Sequence, residues 1–300
     1  MYKTSLTRDV TALAETGGRN VGSVGHAMAR DYIVHRLSEI NLSPYGADSF
    51  KLPYSSSELR FTNIVGEIPG ENPNLDPLLL GAHYDTFDRF PGADDNAAAV
   101  AVLLRVAEEL LKQHRERSIL IAFFDAEEPP HFLHPTMGSI EFYDQQLLTP
   151  VHAAIILDLV GHDLPVKGME DLIFLTGAES SPGVESAIRR CEPKSGLRTV
   201  PTLNSYVGDL SDHHIFRAND HPYVFLTCGR WQHYHSITDT PDKLNFDKLA
   251  EVAGYVLTLS EEICISDLCK PSIGDGTLET EIYFLEKNIL PALGAMNIFP

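Results

Sequence analysis

Three hundred residues, 43% apolar and 22% charged, make a soluble globular chain with room for a large core, and they exclude a disordered, collagen-like or coiled-coil protein. Twenty-three basic against 42 acidic residues leave a net charge of −19, which repels phosphate backbones and anionic lipid and argues against nucleic-acid or membrane-surface partners. The longest apolar runs, such as Ala153–Leu157, fall far short of the roughly 18 residues that span a bilayer.

Residues 1–41 read as helices, with Ile33, Leu37 and Ile40 on one face of the stretch that begins near Val24. The N-terminus, Met1 to Leu6, has no signal-peptide core. The expectation is a cytoplasmic protein; the alternative is an exported one whose signal peptide is absent from this sequence. Residues 60–69 read as a strand ending at Pro69-Gly70. A pattern then recurs, in which a short apolar run ends in a turn bearing acids or histidines. Leu78 to Ala82 runs into His83-Tyr84-Asp85, and Ser118 to Phe124 runs into Asp125-Ala126-Glu127-Glu128. Ala153–Leu157 meets Asp158, and Pro222 to Leu226 comes shortly before Trp231 to His235. A helix from about Asn96 to Gln113 lies between the first two, with Val100, Leu103, Leu104, Ala107, Leu110 and Leu111 on its apolar face.

Continuous apolar strands alternating with helices predict a layered α/β fold with a mostly buried sheet. Such sheets bind ligands beyond the carboxyl ends of their strands, which is where the polar clusters lie here. No repeat or long linker divides the chain. Cys191, Cys228, Cys264 and Cys269 form no C-x-x-C and read as isolated thiols; Cys264 and Cys269 are the nearest pair for a disulfide.

Each candidate ligand is weak alone. His83 resembles any strand-end histidine, although in His83-x-Asp85 the carboxylate can fix the imidazole tautomer. Asp95, in Pro91-Gly92-Ala93-Asp94-Asp95-Asn96, stands where a helix cap is expected. Glu127-Glu128 is more telling, because adjacent carboxylates at a strand end repel unless one is protonated or a cation separates them. Asp158 after five apolar residues needs a partner. His235 sits in a polar turn. Together, His83, Asp95, Glu128, Asp158 and His235 supply nitrogen and carboxylate donors without thiolate, a set suited to hydrolytic Zn2+. Five ligands exceed the three of one catalytic zinc, but one shared carboxylate would serve two ions, and the acid left over, Glu127, is the natural general base.

The order His83-x-Asp85, Gly92-Ala93-Asp94-Asp95-Asn96, Glu127-Glu128, Asp158 and Tyr234-His235 resembles the zinc-aminopeptidase and glutaminyl-cyclase family, peptidase family M28. Met137-Gly138-Ser139, Ser211-Asp212-His213 and Asp239-Thr240-Pro241-Asp242 have family counterparts, and the likeness covers roughly residues 20–265. It implies one domain over 1–300, a three-layer α/β/α sandwich around a mixed, mostly parallel sheet; residues 270–300 fall beyond the usual family core and read as an added helix, Leu278 to Leu290, with a short tail. It implies two Zn2+ per chain, bridged by Asp95, with His83 and Asp158 completing one site and Glu128 and His235 the other. Glu127 would take a proton from the attacking water and pass it to the leaving amine, and Asp85 would orient His83. Two departures stand out. Ala98-Ala99 replaces the usual Ser-Gly, and the longer stretch Pro129 to Thr136 is expected to line the substrate pocket. His131, His134, His213, His214 and His233 are not expected as ligands, His213 being the best candidate for outer-shell support.

The implied activity is a two-zinc aminopeptidase acting on peptides with a free N-terminus. The alternatives are a glutaminyl cyclase with one zinc, or another amide hydrolase on the same scaffold. No arginine in the ligand-bearing motifs is placed to clamp a substrate carboxylate; the nearest are Arg89 and Arg230. Trp231 and Phe132 are candidates for an apolar pocket.

Overall fold

The computed structural model describes residues 2–46, 48–193, 196–268 and 277–291. Its strands are β1 Ser43–Pro44, β2 Lys51–Ser56, β3 Leu59–Ile68, β4 Leu78–His83, β5 Ile119–Phe124, β6 Ala153–Leu157, β7 Leu172–Thr176, β8 Arg198–Pro201 and β9 Tyr223–Thr227. They form one sheet in the order β1-β3-β5-β4-β6-β9-β7-β8, with β2 also on β3. The centre, β5-β4-β6-β9, is parallel, as is β7 with β8; β3 on β5 and β7 on β9 are antiparallel. The expected mixed sheet is present, with its parallel character concentrated where the polar turns emerge.

The helices are α1 Tyr2–Ala14, α2 Val24–Glu39, α3 Ala99–Leu110, α4 Gly138–Glu141, α5 Pro182–Arg190, α6 Asn204–Val207, α7 His213–Ala218, α8 Phe246–Ile265 and α9 Thr277–Asn288. Successive strand residues point to opposite faces. Leu78, Leu80 and Ala82 of β4 therefore join a core with α1, α2, α3 and α8. Leu79 of β4 and Leu120, Ala122 and Phe124 of β5 join another with Phe142, Ile215 and Phe216. Covering both faces is why the central strands are apolar throughout rather than alternating.

The helix expected from about Asn96 starts three residues later, at Ala99. Residues 93–98 form a separate wide turn in which Asp95 (φ −110°, ψ 83°) and Asn96 (φ −133°, ψ 33°) leave helical geometry. The cause is a distant acceptor: the Asp239 carboxylate takes the N–H groups of Asp94 and Asp95 at 3.0 and 3.1 Å. Gly92 enters this turn at φ 57°, and a Cβ there would meet the Asp95 carbonyl oxygen at 2.3 Å. The expected C-terminal helix is α9, which docks on β8 through Arg198 to the Asn288 carbonyl and the Asn288 amide to the Thr199 carbonyl, both 2.8 Å. Cys191, Cys228 and Cys264 are free thiols; Cys269, half of the suggested disulfide, lies outside the described residues.

Candidate metal centre and substrate cleft

His83 closes β4, Glu127 and Glu128 follow β5, Asp158 follows β6 directly, and His235 lies in the loop after β9. These four strands are parallel neighbours, so their carboxyl ends open on one spot. Asp95 reaches it from the turn before α3. The chain bends sharply there, with positive φ at Ala126, Leu159 and His235.

His83 Nε2 lies 3.3 Å from Asp95 Oδ1 and 3.6 Å from Asp158 Oδ1. His235 Nε2 lies 3.3 Å from Asp95 Oδ2 and 3.0 Å from Glu128 Oε2. Two groups result, His83-Asp95-Asp158 and Asp95-Glu128-His235, each with ligand atoms within 4.8 Å of one another. Asp95 is common to both and turns one oxygen to each. Glu127 belongs to neither; its Oε2 is 3.9 Å from His83 Nε2. Asp85 stands 3.4 Å from His83 Nδ1, in ion-pair reach. It also accepts the N–H groups of Glu127 and Glu128 at 3.0 and 3.1 Å, so it holds the two glutamates as well. His235 stacks on Phe87, 4.4 Å away, and on Tyr234, 3.8 Å away.

His83 Nε2, His235 Nε2, Glu128 Oε1 and Asp158 Oδ1 are buried without a hydrogen-bond partner. Buried polar atoms in folded proteins are almost always paired, so four unpaired ones converging on one spot fit a bound cation. Nitrogen and carboxylate oxygen without sulfur fit zinc at a hydrolytic site. The electrostatics agree. Burial pushes Glu128 up to about 8, and the Asp95 charge adds to it. Burial likewise pushes Glu127 well above the carboxylate range, with Glu128 and Asp158 adding to it against the pull of His83. His235 rises to about 9 because Asp95 and Glu128 outweigh the effect of its burial. Acids this crowded hold protons in the place a cation would take.

Several supporting residues escape sequence reasoning. In Ser211-Asp212-His213 the aspartate, not the histidine, faces the cluster. Asp212 is fully buried at the start of α7 yet caps no N–H with its side chain. Burial pushes it up to about 7, and its charge bears on Glu127. His213, expected as outer-shell support, instead stacks on Phe225 at 4.2 Å and lies 3.2 Å from Asn204 Oδ1. Asp94 pairs with His162 Nδ1 at 2.6 Å, and Asp125 with His26 Nε2 at 2.7 Å; both pairs are buried. Asp94 and Asp212 stand at helix starts, where an acid reads as a cap, and no local signal distinguishes them from one. His131 and His134 both lie against Thr136 Oγ1, His214 meets Asp209, and His233 meets Thr238, so none of the four joins the cluster.

Asp95, Glu127, Glu128, Asp158 and His235 line a cleft of about 440 Å³. Pro129, Phe132, Leu159, Phe174, Val207, Leu210 and Phe225 line it, so the 129–136 stretch contributes as expected. Trp231 does not line it; it stacks on His162 at 4.5 Å. Arg230 does line it, with its guanidinium 4.8 Å over the Tyr234 ring, whereas Arg89 is exposed and outside the lining.

The sequence model for peptidase family M28 matches residues 63–260. The chain belongs to peptidase family M28. Membership makes it a zinc-dependent peptidase by class. It is 29% identical over 230 residues to a protein of Escherichia coli (strain K12) named Uncharacterized protein YfbL, covering 66% of this chain and 70% of that one. It is 23% identical over 280 residues to a probable leucine aminopeptidase of Trichophyton verrucosum (strain HKI 0517), covering 88% and 73%. The crystal structure of Porphyromonas gingivalis glutaminyl cyclase superposes with a TM-score of 0.70 at 21% identity, covering 87% of this chain and 98% of that one, a likeness of fold alone. Among the described residues of this M28 chain, no helix is long and apolar enough to cross a membrane.

Proposed function

We propose that this M28 enzyme is an aminopeptidase that removes N-terminal residues from peptides and works with two zinc ions. The observation that carries the proposal is the pair of three-residue groups that share Asp95, one oxygen to each, with Glu127 left over. His83, Asp95 and Asp158 would hold one ion and Asp95, Glu128 and His235 the other. Bound there, zinc supplies Lewis acidity, polarising the scissile carbonyl and acidifying water.

The chain's own residues do the rest. Glu127 accepts a proton from the water whose oxygen adds to the carbonyl carbon. As the carbon–nitrogen bond breaks, it returns that proton to the leaving amine. Asp85 keeps Glu127 in place through its backbone N–H. The substrate's cationic α-amine is favoured beside the carboxylates, and its first side chain enters the apolar cleft around Phe132, Phe174 and Phe225. Arg230 is engaged with the Tyr234 ring, which weighs against a clamp for a C-terminal carboxylate.

The test follows one peptide by mass spectrometry, free and N-acetylated. Stepwise loss from the free N-terminus and little loss from the acetylated form are expected. Equal turnover of both, or trimming from the C-terminus, would overturn the aminopeptidase assignment. A glutaminyl cyclase needs only one ion, so a single tight zinc per chain together with pyroglutamate formation from a glutaminyl peptide would replace it.

A further inference from the structure

Arg19, in the loop between α1 and α2, is among the largest fully buried side chains of the protein. Its five N–H donors all go to main-chain carbonyls and none to a carboxylate. Nε donates to Tyr84 at 2.8 Å, and Nη1 to Leu13 at 3.2 Å and Pro91 at 2.6 Å. Nη2 donates to Gly92 at 2.8 Å and, at the limit of a hydrogen bond, to Asp95 at 3.5 Å. Its own backbone N–H donates to Thr86 Oγ1 at 2.7 Å. Apart from Leu13, these partners lie on two segments, 84–86 and 91–95; the first directly follows the candidate ligand His83 and contains the supporting Asp85, and the second contains the candidate ligand Asp95. The charges that act most on Arg19 are those of Asp239, Asp95, Asp85 and Glu128, although none forms an ion pair with it.

A cation taken out of water without a carboxylate partner is costly unless its surroundings compensate. Here five carbonyl dipoles and the field of the nearby acids do so. We propose that Arg19 is a positioning residue for the metal centre: it fixes the spacing of the His83 and Asp95 segments through their carbonyls and sets a permanent positive charge behind Asp95. The inference rests on the metal-site proposal above. It also explains the residue type. A planar five-donor fork can hold all these carbonyls at once, whereas lysine has three donors on a point charge. Outer-shell contacts of this kind are worth about 10–100-fold in metal affinity.

The experiment measures zinc affinity by competition with a chromogenic chelator, and the thermal midpoint of the metal-free protein, for wild type, Arg19→Lys and Arg36→Lys. Arg36 is a second buried guanidinium, 3% exposed, whose partners are Asp9, Glu39 and Glu108. Arg19→Lys is expected to bind zinc about 10–100-fold more weakly. Arg36→Lys is expected to lower the midpoint while keeping its zinc affinity within about twofold of wild type, since it touches neither ligand-bearing segment. Unchanged zinc affinity in Arg19→Lys, or an equal loss in Arg36→Lys, would overturn the proposal, the latter because general destabilisation would then explain the effect. If Arg19→Lys is recovered only as aggregate, Thr86→Val carries the test by removing the hydroxyl that accepts the Arg19 amide and donates to the Asp88 carbonyl at 3.1 Å; weaker zinc binding supports the proposal and unchanged binding overturns it. Wild-type protein that binds no zinc would overturn the metal-site proposal, and this one with it.

Discussion

Glu127→Gln separates proton transfer from metal binding. The side chain is 5% exposed, belongs to neither ligand group, and is anchored through its backbone N–H to Asp85 at 3.0 Å, a contact the substitution leaves in place. The amide has the same shape, so no cavity opens. What disappears is the proton acceptor, worth roughly 10²–10⁴-fold in rate, or about 3–5 kcal/mol at 1.36 kcal/mol per tenfold. In the metal-free protein the sign is opposite. Glu127 stands among Glu128, Asp158 and Asp212, and replacing one buried acid in that group removes like-charge repulsion. The thermal midpoint of the metal-free variant should therefore hold or rise while activity collapses. The assay is kcat and KM on a panel of aminoacyl-arylamides, zinc content after reloading, and that midpoint. The expected pattern is a fall in kcat with KM and zinc content nearly unchanged. Turnover within tenfold of wild type, or loss of either ion, would refute the base assignment. A midpoint several degrees lower would refute the crowding.

Asp95→Ala should loosen both zinc ions, because each group uses one of its oxygens, whereas His235→Ala or Glu128→Ala should mainly weaken one; metal titration that finds one intact tight site in Asp95→Ala would contradict the bridge. Phe225→Ala removes a ring that is 2% exposed and stacked on His213, and should lower stability by about 3–5 kcal/mol, read from chemical denaturation. Asp209 is held well below the carboxylate range, since contacts with Arg217, His214 and Asn204 outweigh the effect of burial. A depressed folded pKa gives stability that is present above the unfolded value near 3.9 and is lost as pH falls through the folded one. Asp209→Asn should thus lower stability by about 0.5–1 kcal/mol at pH 7, as for a partly exposed pair, and by much less near pH 2; an equal loss at both would contradict the assignment.

The strands that feed the site are legible because each is covered on both faces. β4, β5, β6 and β9 are buried at every position, so each is an unbroken apolar run against polar turns. β2 is hidden from such reading: Lys51–Ser56 alternates between half-buried and exposed positions and contains Pro53, as suits an edge. β7, as long as β6, and the four-residue β8 end in no acid or histidine, so their carboxyl ends carry no polar signal. The period of α3 was visible but not its start, because the residue that captures the Asp94 amide lies 145 positions along the chain. The candidate ligands could be read from residue type and order at strand ends. Arg19 and Asp212 could not, since their roles come from what tertiary folding buries around them.

The supporting acids act on the ligand segments through the main chain, and this shapes the charge of the whole site. Asp85 holds the amides of Glu127 and Glu128, Asp239 those of Asp94 and Asp95, and Asp94 that of Gly161, just past Asp158. A carboxylate that accepts N–H groups fixes the backbone of a ligand without touching the ligand's own oxygens, which stay free to face a cation. The consequence is an accumulation of buried negative charge at one sheet edge, where His83, His235, Arg19 and His162 are among the cationic or ionisable nitrogen groups at hand. Without metal ions, burial first and the neighbouring acids second favour the protonated carboxyls, raising Glu128 to about 8 and Asp212 and Asp239 to about 7. Ions bound there would displace those protons, and their binding energy would count toward folding as well as catalysis. An edge built this way is stable and reactive under the same condition, with cations in place.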